Sequence, residues 1–186
     1  MAEECAEFMK RTKRIAFCGL LSAVCIVLMT MSGLIPFATY AIPALAGMLT
    51  IAVISEAGWR WSIATYVVCT AVSLLMPVNL EASVMFAVFF GYYPTLWYAL
   101  SGLKSKVLRL FIGLVVFNTA MISTYAVIAN LIGLDALLAG LEMIGTVPAL
   151  LLFLLLGNIT FLIYDRAVKL CFVLYNTRFK GKLIKL

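Results

Sequence analysis

The basic residues of this chain fall in every second gap between its apolar runs and in none of the gaps between. Six apolar runs are read at 15–35, 41–55, 61–76, 82–100, 107–132 and from Thr146 to about Tyr164. If each run crosses a membrane as a helix, the connections alternate between two sides. One side then carries Lys10, Arg11, Lys13, Arg14, Arg60, Lys104, Lys106, Arg109, Arg166, Lys169, Arg178, Lys180, Lys182 and Lys185, all 14 Lys and Arg of the chain. The other side carries none. Cytoplasmic loops of membrane proteins are enriched in Lys and Arg. The pattern therefore predicts an all-α, polytopic bundle of about six transmembrane helices in the cell membrane, with both termini cytoplasmic.

Composition agrees. Hydrophobic residues make up 65% of the 186 and charged residues 12%, against about 25% charged in soluble domains. A mean hydropathy of +1.13 leaves too little polar surface to cover a water-soluble globule. Six spans of about 20 residues each leave room only for short loops and tails. The expected division is a basic N-terminal segment at 1–14, a membrane domain at 15–172 and a basic tail at 173–186. The first run is 21 residues long, too long for a signal-peptide core, and reads as a signal anchor. Pro43 falls in a first turn, where proline is tolerated, and Pro94 interrupts the fourth helix. The second and third helices are short, and a re-entrant pair is the alternative. Arg60, which a full crossing places among the other basic residues, argues for two spans. The stretch 133–145 is the longest internal loop and has room for an interfacial helix.

No charged residue falls near the middle of a span, where it would mark an ion path or proton relay. Histidine is absent, which removes the commonest general base and metal ligand. No Walker loop, HExxH motif or paired intramembrane Asp occurs. Cys5, Cys18, Cys25, Cys69 and Cys171 form no CxxC pair and read as small apolar packing residues. The expectation is a protein without catalytic residues, metal or cofactor. The net charge of +6 points to anionic lipid at the cytoplasmic face rather than to nucleic acid.

Several uncharged polar groups lie within the runs. Asn118 and Asn158 are each read as making interhelical hydrogen bonds, and Tyr92 and Tyr93 as packing or interface residues. At the outer end, Tyr40, Asn79, Glu81, Tyr125, Asn130 and Glu142 come to one level and are candidate substrate-binding residues around an apolar pocket. For Glu81 the plainer reading is an acid favoured by a helix N-terminus. The lack of outer Lys or Arg favours a neutral or cationic solute over a polyanion. The first helix carries Ala16, Gly19, Ser22 and Ala23, small residues that permit close helix approach. Packing within the bundle is the plainer reading of that stripe, and docking to another subunit the functional one.

With its basic lead followed by Ile15-Ala16-Phe17-Cys18-Gly19-Leu20-Leu21-Ser22-Ala23, and its size and topology, the chain resembles the substrate-binding S component of energy-coupling factor (ECF) vitamin transporters. That family's first helix often carries an Ala-xxx-Ala motif that packs on a partner. Here Gly19 and Ala23 meet the spacing, while Ala16 is followed by Leu20 in place of a second alanine. The resemblance implies a small vitamin-like nutrient bound near the outer face. It also implies docking through Ala16, Gly19, Leu20 and Ala23 to an ECF transmembrane subunit that works with cytoplasmic ATPases. The rival readings are a structural or assembly protein of the cell envelope, of the cell-shape type, and a small lipid-handling membrane protein.

Overall fold

The computed structural model describes residues 2–34, 39–132 and 146–178. Those residues are helical throughout apart from short connections, with no strand among them. The helices are α1 (Ala2–Met31), α2 (Ala41–Glu56), α3 (Trp59–Leu75), α4 (Leu80–Met85), a π-helical turn (Phe86–Phe90), α5 (Tyr93–Leu100), α6 (Lys106–Ile132) and α7 (Thr146–Arg178). Taken as one interrupted rod, α4, the π turn and α5 form the fourth of six helical segments among the described residues. Among the described residues, three stretches are long and apolar enough to cross a membrane, namely Arg11–Met31, Leu80–Leu100 and Lys106–Val127, and α2 is a shorter apolar helix.

The outer helices run further than expected. The basic lead is already part of α1, which begins at Ala2 instead of Ile15. No break occurs near Tyr164, and α7 continues to Arg178. Nothing in either stretch stops a helix, since both lack Gly and Pro where the chain was expected to leave the helix. The loop at 133–145 lies outside the described residues.

The short second helix is the centre of the bundle. It packs on α1, α3, α4, the π turn, α5 and α7. Ile42, Pro43, Ala46, Gly47, Thr50, Ile51, Val53 and Ile54 are all buried. A helix that is apolar all round belongs in an interior. Gly58, with φ +98°, adopts the left-handed conformation that lets the chain turn sharply from α2 into α3. Asn79 starts α4: its Oδ1 accepts from Ala82 N–H at 3.0 Å, a standard N-cap.

The fourth segment breaks where Pro94 requires it. Proline has no N–H to give to the carbonyl four residues earlier, here Phe90. Just before the break the ladder widens, and Gly91 N–H reaches back five residues to Phe86 O at 2.8 Å. Two tyrosines serve carbonyls of this stretch. Tyr66 OH donates to Ala87 O at 2.6 Å and Tyr164 OH to Phe90 O at 3.4 Å. Phe89, fully buried, meets the rings of Phe90, Tyr93, Phe117, Phe161 and Tyr164 with centroids 4.8–6.0 Å apart. Edge-to-face contacts dominate this cluster, the geometry that aromatic quadrupoles favour. Cys18, Cys25 and Cys69 are buried, as expected of small apolar residues.

Asn118 and Asn158 join α6 to α7 by a reciprocal amide pair. Asn118 Nδ2 donates to Asn158 Oδ1 at 2.9 Å and Asn158 Nδ2 to Asn118 Oδ1 at 3.2 Å. Each amide also donates to its own helix, to Leu114 O and Leu154 O. A pair of this kind contributes about 0.6–2 kcal/mol in an apolar surrounding. Asn118→Leu and Asn158→Leu are each expected to lower stability by that amount. The double variant should cost less than the sum, because each single change strands the other amide. Thermal unfolding of the four proteins in detergent checks the cycle, and strict additivity would show that the amides do not support each other.

Large apolar side chains cover the outside of the bundle. Leu20 on α1, Phe111 and Ile122 on α6, and Leu155 and Ile163 on α7 are all at least 60% exposed. A continuous apolar exterior of this kind is compatible with a lipid surrounding.

Candidate functional site

Tyr40, Asn79, Glu81 and Tyr125, distant in sequence, meet at one end of the bundle. Tyr40 stands immediately before α2, and its hydroxyl donates to Glu81 Oε1 in the first turn of α4. The Tyr40 and Tyr125 oxygens are 3.1 Å apart. Asn79 Nδ2 reaches Thr39 Oγ1 at 3.5 Å. The cap of α4 is thereby latched to the α1–α2 connection. Glu81 is a first-turn acid favoured by the helix dipole and is also held by Tyr40.

The Tyr40 proton goes to Glu81 Oε1. In the 3.1 Å contact between the two phenols, either oxygen can be the donor. Burial above all, with the hydrogen bonds to Glu81 and Tyr125, pushes the Tyr40 phenol above its ordinary range. The phenol therefore stays protonated, as the assignment requires.

Beneath this cluster lies a cavity of about 250 Å³, lined by Tyr40, Met85, Phe90, Phe117, Met121, Tyr125, Leu156, Gly157 and Thr160. Its walls come from α4, the π turn, α6 and α7. It lies just below the roughly 300–1,000 Å³ typical of small-molecule pockets and shares their mostly apolar lining with few polar groups. Thr160 adds a third hydroxyl, which donates to Leu156 O at 2.9 Å.

Most wall residues escape a reading based on polarity alone. Helical spacing carries the missing signal. Phe117, Met121 and Tyr125 recur every four residues along α6, and Met85 follows Glu81 by four along α4, so each wall residue lies on the face of a polar candidate, one or two turns deeper. Gly157 and Thr160 are three apart on α7. Asn130 does not join: it is exposed, and its Nδ2 donates to Ala126 O on its own helix at 2.7 Å. It falls off the stripe that ends at Tyr125. Glu142 lies outside the described residues.

The α1 residues Ala16, Gly19, Leu20 and Ala23 are all exposed. A Cβ built on Gly19 meets nothing within 4 Å. Of the small-residue stripe, Ser22 packs inside the bundle, while Ala16, Gly19 and Ala23 face outward. The buried face of α1 is instead Cys18, Ser22, Cys25 and Met29, turned toward α2 and α3.

The opposite end of the bundle is organised by charge and aromatic stacking. Tyr93 OH donates to the buried Asp165 at 2.8 Å. The Arg109 guanidinium lies 5.0 Å from the Trp97 ring centroid, and Trp97 stacks on Phe172. Tyr175 OH donates to Glu56 Oε1 at 3.3 Å. Burial, with the Glu56 carboxylate beside it, pushes that phenol up to about 12. Near neutral pH it remains a donor, joining the ends of α2 and α7.

No family model, curated protein or solved structure matches the chain.

Proposed function

We propose that the chain is a membrane-embedded substrate-binding subunit of the ECF type, which takes a small water-soluble nutrient from the outer face and relies on a partner ATPase module for energy. In this reading six segments cross the membrane, with both termini and the fourteen basic residues on the cytoplasmic side. The Tyr40 end then faces outward. One observation carries the proposal: a cavity of about 250 Å³ opens beneath Tyr40 and Tyr125, with Glu81 hydrogen-bonded to Tyr40 beside it. An aromatic pocket with a small number of placed polar groups is what a binding subunit needs. The outward-facing Ala16, Gly19, Leu20 and Ala23 supply a flat strip for the transmembrane partner in the same reading.

The test is a thermal-shift screen of the purified protein against water-soluble vitamins and nucleobases, combined with mild-detergent copurification from cells that express an ECF module. A stabilising ligand together with recovery of the module is the expected result. Absence of any ligand, with altered cell shape and normal nutrient uptake on depletion, would instead favour the structural reading. Lipid scrambling in proteoliposomes would favour lipid handling.

A further inference from the structure

One wall of the cavity depends on a turn that a regular helix does not contain. Met85 stands immediately before the π turn and Phe90 is its last residue, and both line the cavity. A π turn closes its hydrogen bonds over five residues in place of four, so it carries one residue more than an α turn. One residue along a helix is about 100° of rotation and about 1.5 Å of rise. The extra residue therefore sets which way α4 faces relative to α5. On the α5 side the chain is pinned three times. Tyr93 donates to Asp165, the Thr95 and Ser62 hydroxyl oxygens are 2.7 Å apart, and Trp97 stacks on Phe172. Were the turn to tighten into α form, α4 would be the part to rotate. Met85 would leave the cavity wall and Glu81 would leave Tyr40.

Tyr66 on α3 opposes that tightening. In an α turn the Gly91 N–H would bond to Ala87 O. Here it goes to Phe86 O at 2.8 Å, and the Tyr66 hydroxyl donates to Ala87 O at 2.6 Å. The same ring spans the turn. Its centroid lies 6.3 Å from that of Phe86 and 5.9 Å from that of Tyr92, and a Cβ on Gly91 would come within 2.6 Å of it. Tyr66 does not itself line the cavity.

We infer that Tyr66 is a positioning residue for the cavity: its hydroxyl holds the π turn, and the turn holds Met85, Phe90 and Glu81 in place. The inference rests on the reading of the cavity as a binding site and adds to it a residue that touches no part of the lumen. Without the hydroxyl, Ala87 O loses this donor. The donor at hand is Gly91 N–H, which reaches Ala87 O only in the α register.

The test is NMR of methionine methyl groups in the full-length protein in nanodiscs, with the Met85 signal assigned by M85L. That methyl lies beside the cavity rings, so its signal reports the register of α4 with no ligand present. Y66F keeps the ring and removes only the hydroxyl. S62A is the matched control, because it removes a hydrogen bond from α3 to the same segment beyond Pro94. Y66F is expected to displace or split the Met85 signal and S62A to leave it in place, whatever either does to the melting temperature. Deleting Val88 from Y66F removes the extra residue and is expected to return the signal to its original position. An unmoved Met85 signal in folded Y66F would overturn the inference, as would an equal displacement in S62A. If Y66F does not fold, recovery of folding on deletion of Val88 is the expected result, and no recovery would overturn it. An unmoved signal leaves the binding reading standing. An empty vitamin screen beside a displaced signal overturns the binding reading and leaves the hold of Tyr66 on the turn.

Discussion

Gly47→Ala is expected to lower the melting temperature of the purified protein by roughly 6–12 °C. A Cβ at this position would stand 2.2 Å from the Phe90 carbonyl oxygen, 2.9 Å from its carbon and 3.0 Å from the Tyr164 hydroxyl. The first two atoms are backbone, so no rotamer change relieves the clash. Either α2 must withdraw from the π turn or the turn must move, and both carry the Phe89 aromatic cluster with them. Overpacking in a well-filled interior costs typically about 1–3 kcal/mol, and backbone against backbone belongs at the top of that range. For a chain of this size about 3 kcal/mol corresponds to the stated shift. The Tyr164 hydrogen bond to Phe90 O would be lost in addition. Gly19→Ala is the matched control. Nothing lies within 4 Å of the added carbon, and alanine favours the helix by up to about 1 kcal/mol. Differential scanning fluorimetry of both variants in the same detergent is the measurement. Equal melting temperatures would show that α2 does not seat on the π turn as described.

Gly157→Leu is expected to abolish binding in the cavity while leaving the fold intact. A Cβ at Gly157 would meet Met121 Cε at 3.4 Å and the Phe117 ring at 3.5 Å, which is ordinary van der Waals contact. Alanine is therefore tolerated here, unlike at Gly47. The further carbons of leucine have to enter the cavity, which Gly157 lines. Filling an apolar void adds buried apolar contact, so the melting temperature should stay constant or rise. Affinity for a ligand returned by the thermal-shift screen should fall by at least 100-fold, about 2.8 kcal/mol. Isothermal titration and scanning fluorimetry on one preparation separate the two effects. Unchanged affinity in a folded variant would place the ligand elsewhere, and loss of folding would mean that α6 and α7 are packed more tightly at this level than the cavity implies.

The contrast between these glycines marks how far the primary structure can be read. Gly47 and Gly157 both lie in apolar runs, and nothing local distinguishes them. In a soluble helix, amphipathicity separates the core-facing side from the outside. Here both sides are apolar, and that signal vanishes. For the same reason α2 looked like the weakest span and proved to be the hub of the bundle. The Ala16, Gly19, Ala23 stripe likewise suited internal packing but faces outward. Polar residues behave differently, because an unpaired amide or carboxylate in an apolar setting is costly. Asn118 and Asn158 had to find partners, and they found each other.

Connectivity explains why part of the site was legible. Once the chain alternates between two ends, Tyr40, Asn79, Glu81 and Tyr125 must come to one end, and a carboxylate among phenols is a strong local pairing. Asn130 was put with them by its height along α6 alone; its rotation about the helix axis sends it outward to its own backbone. The walls were missed because Met85, Phe90, Phe117 and Met121 differ from other apolar residues only in what faces them.

The sequence by itself determined the helical class, the connections near Gly58, Pro77 and Ser101, the break before Pro94 and the gathering of the polar cluster at one end. Those follow from hydropathy, charge and the covalent limits of proline, which act locally. Only the tertiary structure decided that α2 is central, that the helix widens ahead of Pro94 and that a void remains between α6 and α7. Those depend on the rotation of each helix about its axis, which a uniformly apolar surface leaves to close packing and to a few hydrogen bonds.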